Sequence, residues 1–201
     1  PNHEEIVARL SHFVNQNSTS VVVTLGATRS AIDDVRYVQN TSSGRTGYLI
    51  ADYLYRLGMD ITCVSGVTTV DCPAWLPLEI NCPDPDDMLA ELKALAKDDI
   101  NVWIHAAAVL DYVITESVEG KIASLQGELE IQLQEGAKHI MELKDLCKGS
   151  TRIGFKLESG IKQKDLVHRA VAQIQTSGMN ATIANRIEDI GKKDMPRGWL
   201  V

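Results

Sequence analysis

Short apolar runs alternate with amphipathic segments along most of this 201-residue chain. Val21 to Val23 is typical of the apolar runs, which predict buried strands, whereas Ile6, Leu10 and Phe13 mark one face of a helix. This alternation favours a Rossmann-like α/β fold, in which a mostly parallel sheet carries helices on both faces. The predicted elements are helices at 3–15, 44–57, 84–97, 137–147 and 163–176, strands at 20–25, 60–64, 78–80, 101–106, 152–156 and 181–184, and an edge strand beginning at 199.

The pattern changes after Asp111. Residues 112–120 have no helical or strand period, whereas apolar and polar residues alternate from Leu129 to Leu133. We predict a mobile loop there, followed by a strand pair near 127–133 that lies outside the main sheet. The chain is therefore expected to be a single domain, 1–201, with a strand-pair and flap extension at about 112–135.

The composition excludes several classes of function. The net charge is −7 and the basic residues are dispersed, whereas proteins that bind nucleic acid usually carry clustered basic residues. No apolar run approaches the roughly 20 residues of a membrane span.

The four cysteines lack the spacing of a zinc site, so we expect no metal-ligating residues. Cys63 and Cys147 resemble core residues, whereas Cys72 and Cys82 lie near prolines and are candidates for exposed thiols. We expect reduced thiols in a cytoplasmic protein with no nucleic-acid or membrane partner.

A long polar loop separates the first predicted strand from the second predicted helix. It follows Gly26 and carries Arg29, Asp33, Arg36 and Asn40. In an open α/β sheet, ligands bind in the crevice beyond the carboxyl ends of the strands. A loop of this length usually serves a site rather than a mere connection. The sequence therefore predicts a binding site at this corner of the sheet.

Two serines and a glycine stand where the second helix begins. Ser42, Ser43 and Gly44 offer hydroxyls and backbone N–H groups at a helix N-terminus, a natural cradle for phosphate. A plain N-cap is the alternative interpretation. The G-x-G-x-x-G fingerprint of dinucleotide folds is absent after the first strand, and so is the Gly-Lys-Ser/Thr order of a P-loop. The pattern favours a phosphate site of another type.

Six further sequence blocks follow one another from about residue 20 to the C-terminus. They are Gly26-x-Thr28-Arg29-x-x-x-Asp33-x-Val35-Arg36-Tyr37-x-x-Asn40-x-Ser42-Ser43-Gly44-x-x-Gly47, Val64-Ser65-Gly66, Ala106-Ala107-Ala108-Val109-Leu110-Asp111-Tyr112, Glu119-Gly120-Lys121-Ile122, Gly154-Phe155-Lys156-Leu157-Glu158 and Ala184-Asn185. Any single block is weak evidence, but together and in this order they are specific. The chain resembles phosphopantothenoylcysteine synthetase, also called phosphopantothenate–cysteine ligase, and is closest to the stand-alone type.

The resemblance implies a ligase of coenzyme A biosynthesis. Such an enzyme joins 4′-phosphopantothenate and cysteine through an acyl-nucleotide, with CTP or ATP as co-substrate and Mg²⁺ to screen the reacting anions. Gln173 and Ser177 align with two lysines of the CTP-using bacterial form, so the choice between CTP and ATP stays open. The resemblance also implies a homodimer, for which the apolar strand-pair extension would supply an edge in need of a partner.

The resemblance also implies roles for individual residues. Asn40 matches the asparagine that handles the acyl intermediate, Arg36 an arginine suited to holding a carboxylate or phosphate, and Lys121 the flap lysine that reaches the phosphates. We expect these three residues to be catalytic, and Arg29, Arg36 and Asn40 to bind the substrate. The predicted nucleotide-binding residues are Gly26, Ser42, Ser43, Gly44, Ala106, Ala107, Ala108, Asp111 and Phe155.

Two other functions stay open from the sequence. One is a nicotinamide- or flavin-binding oxidoreductase on the same fold. The other is a catalytically degenerate, ligase-like nucleotide-binding protein, which the altered segment at 135–138 would fit and which Asn40 and Lys121 speak against. His105 beside the alanine run invites a general-base role, but the resemblance supplies no catalytic histidine there.

Overall fold

The computed structural model describes residues 1–124, 127–192 and 196–201. Within these ranges no helix is both long enough and apolar enough to cross a membrane. The helices are α1 His3–Asn15, α2 Arg45–Arg56, α3 Pro85–Leu95, α4 His139–Glu142 and α5 Gln163–Ser177. The strands are β1 Ser20–Leu25, β2 Arg29–Ala31, β3 Tyr37–Gln39, β4 Asp60–Ser65, β5 Leu78–Asn81, β6 Val102–His105, β7 Tyr112–Ile114, β8 Leu133–Glu135, β9 Thr151–Glu158, β10 Ala181–Arg186 and β11 Trp199–Leu200.

Seven of the described strands form one sheet, in the order β11-β10-β9-β6-β1-β4-β5. Neighbouring strands are parallel except at the edge, where β11 runs antiparallel to β10. The register sets Leu25 opposite Ser65 and Thr24 opposite His105, so the carboxyl ends of β1, β4 and β6 lie side by side. The predicted Rossmann-like, mostly parallel α/β sheet is confirmed.

The core lies on both faces of β1. Val21 and Val23 pack with Tyr48 of α2 on one face, whereas Val22 packs with Met88 of α3 on the other. Successive side chains of a strand point to opposite faces of the sheet. An uninterrupted apolar run such as that of β1 is therefore what a strand covered by helices on both sides requires.

The long loop after β1 contains a hairpin that the sequence did not predict. β2 and β3 pair antiparallel, with Ser30 opposite Val38, and the guanidinium of Arg29 lies over the ring of Tyr37 at 4.1 Å. Strands of three residues are too short to show a readable alternation of apolar and polar side chains. The hairpin carries Asn40 at its end and thereby positions that residue next to the sheet.

The small strand pair outside the main sheet is confirmed, but other residues form it. β7 pairs antiparallel with β8, with Tyr112 opposite Glu135. Residues 112–114 were expected to be aperiodic, and of the alternating stretch at 129–133 only Leu133 lies in a strand. Leu129 and Ile131 are 52% and 42% exposed, so no buried face fixes a strand at that register. Residues 125–126 of the predicted extension lie outside the described residues.

The helix predicted at 137–147 is a single turn, α4. The carbonyl of Ile140 accepts a hydrogen bond from Nη2 of Arg152 at 2.7 Å, and the N–H of Lys144 turns to the carbonyl of Met141 at 3.1 Å. In an α-helix that N–H would donate to Ile140 instead. The buried Arg152 of β9 therefore takes the acceptor that a longer helix would need.

All four cysteines are free thiols. Cys63 and Cys147 are buried, as predicted. Cys82 was a candidate for exposure but is buried too, because it packs in the cluster that includes Met88, and Cys72 is half-buried. Burial, with smaller contributions from nearby Cys72 and a carboxylate, raises the pKa of Cys63 to about 12, which leaves this thiol unreactive.

We expect Gly58→Ala to destabilise the protein far more than Gly149→Ala does. Both glycines have a positive φ, +87° and +94°, where a Cβ costs about 1–2 kcal/mol. A Cβ on Gly58 would also lie 2.0 Å from the carbonyl oxygen of Asn15, whereas at Gly149 no described heavy atom lies within 4 Å. Overpacking adds about 1–3 kcal/mol. Urea unfolding should show this difference, and equal losses would contradict the close approach of α1 to the end of α2.

Candidate active site

The loops that follow β1, β4 and β6 are joined by backbone hydrogen bonds. The N–H of Ala27 donates to the carbonyl of Val67 at 2.9 Å, and the N–H of Val67 donates back at 2.7 Å. Ala108 donates to the carbonyl of Gly26 at 2.8 Å and accepts from the N–H of Thr28 at 3.2 Å. The predicted nucleotide-binding positions after β1 and β6 are thus neighbours at the carboxyl edge of the sheet, where an α/β sheet binds its ligands.

Two residues without a predicted role hold these loops together. A Cβ on Gly66 would lie 2.2 Å from the carbonyl oxygen of Ala27, so the close approach of the two backbones requires glycine at this position. The hydroxyl of the buried Thr28 accepts from the N–H of Leu110 at 2.9 Å. Both residues stand in the quoted sequence blocks, but only the folded chain shows what they contact.

Asn40 joins the hairpin to the loop after β6. Its Nδ2 donates to the carbonyls of Ala108 at 3.2 Å and Val109 at 2.9 Å. Only the nitrogen of the amide can donate to carbonyls, so these contacts fix the orientation of the group. Its Oδ1 is therefore the atom with which Asn40 can accept a hydrogen bond from a ligand. The predicted catalytic asparagine lies beside the predicted nucleotide-binding alanines.

The start of α2 supplies N–H groups next to this centre. The hydroxyls of Ser42 and Ser43 accept from the N–H groups of Gly44 and Arg45, each at 3.4 Å. Such distances are long for hydrogen bonds of this kind. An anion at this helix N-terminus would therefore find backbone donors that the protein satisfies only weakly. The N–H of Thr69 donates to the carbonyl of Ser43 at 3.2 Å, which ties this segment to the loop after β4.

A fully buried carboxylate, that of Asp33, lies at the tip of the hairpin. Its Oδ1 accepts from the N–H groups of Val35 at 2.8 Å and Arg36 at 2.7 Å. Its Oδ2 accepts from Nη1 of Arg36 and from the N–H of Ile122 at 3.1 Å. Burial alone would raise the pKa of Asp33, but these hydrogen bonds outweigh it and hold the pKa at about 2. The group is therefore a carboxylate at neutral pH.

Lys121 lies between residues that bond to the hairpin. The carbonyl of Gly120 accepts from the N–H of Asp34 at 3.1 Å, and the carbonyl of Ile122 accepts from the Arg36 guanidinium at 3.4 Å. The side chain of Lys121 is exposed. The loop before it was predicted to be mobile, but the backbone is tied to the hairpin on both sides of the lysine. Arg36 therefore contacts the flap segment, residues 118–122, as well as Asp33.

The remaining predicted residues lie around this centre. The carboxylate of Asp111 is 71% exposed and stands 3.9 Å from Nζ of Lys138. Phe155 lies in β9 and packs with Ala106 against the same core cluster. One face of the Arg29 guanidinium packs on the ring of Tyr37. The structure therefore joins Asn40, Arg36 and Lys121 through the hairpin, whereas Asp111 has no such link to it in the part of the chain that is described.

His105 is unsuited to act as a general base. It is buried at the end of β6, and its Nε2 has no hydrogen-bond partner among the described residues. Burial, together with the charges of Arg152 and His139, lowers its pKa to about 3. The ring is neutral and shielded from any ligand in the crevice.

Among residues 1–124, 127–192 and 196–201, no group of three or more histidine, cysteine, aspartate or glutamate side chains could hold a metal ion. Mg²⁺ is commonly bound by one or two carboxylates together with substrate phosphates.

A comparison with protein-family models shows to which family the chain belongs. The family model that matches is the DNA/pantothenate metabolism flavoprotein C-terminal domain, over residues 16–195. The chain belongs to this family. The matched range begins directly after α1 and includes the hairpin, the loop after β6 and Lys121.

Relatives of known name are longer than this chain. The coenzyme A biosynthesis bifunctional protein CoaBC of Thermococcus kodakarensis is 32% identical over 195 residues, which cover 95% of this chain and 48% of that protein. The protein of the same name from Methanocaldococcus jannaschii is 28% identical over 180 residues, 90% of this chain and 43% of the relative. The chain thus spans about half the length of the curated relatives it matches.

Solved structures share the fold. The DNA/pantothenate metabolism flavoprotein from Streptococcus pneumoniae superposes with a TM-score of 0.79 at 23% identity, covering 91% of this chain and 92% of that one. A Cab2 mutant in complex with phosphopantothenate-cysteine superposes with a TM-score of 0.72 at 16% identity, covering 98% of this chain and 84% of the other. At these identities the likeness establishes the α/β architecture of this family member.

Proposed function

We propose that this family member joins 4′-phosphopantothenate and cysteine, through an acyl-nucleotide, in coenzyme A biosynthesis. The observation that carries the proposal is the hairpin 29–39, which brings Asn40 to the loop after β6 and ties the backbone around Lys121 to Arg36. The names of the CoaBC relatives and the molecule bound by the Cab2 mutant support the proposal.

The reaction would run in two steps. The phosphopantothenate carboxylate attacks the α-phosphorus of the triphosphate, so that an acyl-nucleotide forms and pyrophosphate leaves. The cysteine amine then attacks the acyl carbon, the amide forms, and the nucleoside monophosphate leaves with the electron pair of the broken C–O bond. Both steps bring anions or polar groups together, so fixed cations and donors lower the barrier.

Each residue has a task in this scheme. Lys121 would place its ammonium near the phosphates as a flexible point charge. Arg29 and Arg36 would hold the anionic ends of phosphopantothenate. Oδ1 of Asn40 would accept from the incoming amine and orient it. The backbone at the start of α2 and the small residues Ala106 to Ala108 would let the nucleotide approach closely.

Finer features of the proposal follow from the sequence. The nucleotide is CTP or ATP, and Mg²⁺ accompanies its phosphates as part of the substrate. The predicted catalytic set, the single-domain organisation of 1–201 and a cytoplasmic location stay predictions. Nucleic acid and membranes are not expected partners.

We expect the purified protein to release pyrophosphate only when phosphopantothenate and a triphosphate are both present. The first step consumes both, and without the carboxylate no nucleophile is available for the α-phosphorus. A coupled pyrophosphate assay with Mg²⁺ and either CTP or ATP measures this directly. Release without phosphopantothenate would contradict the ligase, and binding of nucleotide without any release would favour the degenerate, non-catalytic alternative.

A homodimer is expected to form through the strand-pair extension. β7 and β8 form a two-stranded sheet. β7 faces the hairpin, where the N–H of Ile114 donates to the hydroxyl of Ser30 at 2.9 Å, so it is β8 whose outer edge faces away from the hairpin and can pair. Leu129, Ile131 and Leu133 of this extension are exposed. A second copy of the chain would cover these apolar side chains across a twofold axis.

Leu133→Asp should convert the dimer to a monomer in light scattering at micromolar concentration. The substitution would bury an unpaired carboxylate in the interface, which is strongly unfavourable. Phe13→Asp is the matched control, because Phe13 is 75% exposed on α1 and lies outside the extension. The molar mass of this variant should remain that of the dimer. A monomeric wild type, or a dimer that only Phe13→Asp dissociates, would refute this interface.

A further inference from the structure

We propose that Asp33 is a positioning residue, which holds the backbone around Lys121 in the place from which the ammonium group of that lysine acts. The inference rests on the proposed function, because it concerns a residue that acts in that reaction. Asp33 itself lies at the hairpin tip and would not touch the substrate. Its effect would pass through the flap segment 118–122.

The two oxygens of the Asp33 carboxylate have different partners. Oδ1 accepts from the N–H groups of Val35 and Arg36, which are two and three residues along the chain, and so shapes the turn of the hairpin. Oδ2 accepts from Nη1 of Arg36 and from the N–H of Ile122, which is 89 residues away in sequence. Only the second oxygen therefore makes the long-range tie to the flap, whereas both contribute to the local turn.

The tie is reinforced on both sides of Lys121. Ahead of it, the N–H of Val118 donates to the carbonyl of Ile32 at 2.9 Å, and the carbonyl of Gly120 accepts from Asp34. Behind it, the guanidinium of Arg36 donates to the carbonyl of Ile122. The side chain of Lys121 is exposed, whereas its backbone is held by these hydrogen bonds. The ammonium group can therefore move, but only within reach of a fixed Cα.

The separate roles of the two oxygens allow a selective variant. In Asp33→Asn, Oδ1 can still accept from the turn, whereas the amide nitrogen that replaces Oδ2 would face the N–H of Ile122, donor against donor. The variant also removes the charge that pairs with Arg36, and because Arg36 would hold phosphopantothenate, that part of the effect is expected in KM rather than in kcat. Asp34→Asn is the matched control, because Asp34 is the exposed neighbour and bonds the flap only through its backbone.

Hydrogen exchange and kinetics test the proposal together. We expect the amides of Val118 and Ile122 to exchange at least ~10-fold faster in Asp33→Asn, and kcat to fall ~10- to 100-fold because the lysine is misplaced. In a Lys121→Ala background, the same substitution should cause no further loss, since its effect passes through the lysine. Asp34→Asn should match the wild type in both measurements.

Other results would overturn the positioning role of Asp33 or call for a second variant. Unchanged exchange, or a loss of kcat that multiplies with that of Lys121→Ala, would overturn the positioning role. If Asp33→Asn does not fold, Ile122→Pro removes the same N–H from the flap side, and faster exchange at Val118 is expected there too. If the wild type shows no ligase turnover, the proposed function fails and the kinetic role of Asp33 fails with it, whereas exchange still reports whether the tie exists.

Discussion

Replacing Lys121 by alanine is expected to lower turnover by ~10²- to 10³-fold while leaving the melting temperature nearly unchanged. The ammonium group would stabilise negative charge that develops on the phosphates, so its loss raises the barrier of the first step. The side chain is exposed, and substitutions of exposed residues usually change stability by less than about 0.5 kcal/mol. Pyrophosphate release and thermal unfolding of the same preparation measure both effects.

A second lysine separates the role of the flap from a general effect of charge. Lys148 is exposed, pairs with Asp145 at 3.0 Å and precedes β9, so it lies at the opposite edge of the sheet. Lys148→Ala removes the same charge and should retain full turnover. Nucleotide binding should also slow hydrogen exchange across residues 112–124. An active Lys121→Ala variant, or exchange that nucleotide does not alter, would show that this lysine is not the flap residue.

The central sheet could be predicted because its strands are marked by local pattern. β1 contains the uninterrupted apolar run Val21 to Val23 and is buried on both faces. The helices α2, α3 and α5 show amphipathic repeats at nearly the predicted bounds. In such elements the sequence period and the burial agree. The alternation of strand and helix then leaves few arrangements other than a parallel sheet.

The smaller elements depend on contacts between distant residues. The hairpin 29–39 is closed by Asp33, whose partners include Ile122, and α4 is cut short because Arg152 takes a carbonyl from it. No window of neighbouring residues contains such information. Two of the predictions that were wrong, the strand pair near 127–133 and the helix over 137–147, were drawn from local periodicity alone.

Periodicity also fails to say which way a helix faces. The apolar stripe of α1 was correctly predicted as one side of a helix. In the folded chain the small Ala8 is buried and His12 stacks on Tyr55 of α2 at 4.1 Å, whereas Leu10 and Phe13 are exposed. The polar and small side of α1 therefore packs on α2, and its apolar side faces outward.

The sequence could name candidate site residues but not the contacts between them. The resemblance pointed to Arg36 and Asn40 in one sequence block and to Lys121 in another. The structure adds that Arg36 is shared between the flap and Asp33, and that the amide of Asn40 holds the loop after β6. The contacts with Ile122 and with the loop after β6 could be found only from coordinates, because each joins residues from two different loops.

Asn40→Asp is expected to abolish most of the cysteine-dependent step while acyl-nucleotide formation is impaired less. A carboxylate at this position has no hydrogen to donate, so its second oxygen would face the carbonyls of Ala108 and Val109 that Nδ2 now holds at 3.2 and 2.9 Å. The repulsion would turn the side chain away from the loop. The incoming amine would then lose the oriented acceptor that Oδ1 of Asn40 provides in the proposed reaction.

The two half-reactions should therefore respond unequally. In the proposed reaction, Lys121 and the start of α2 would handle the phosphates, whereas the amine would depend on the orientation of the Asn40 amide, whose Nδ2 is bonded to Ala108 and Val109. Misplacing a reacting group by about 1 Å can cost ~10²-fold in rate. Mass spectrometry of quenched reactions should show acyl-nucleotide accumulating in Asn40→Asp when cysteine is present. Gln39→Glu adds the same charge at the exposed neighbouring residue and should leave both steps intact, so equal losses of the two steps in Asn40→Asp would refute the role assigned to the asparagine.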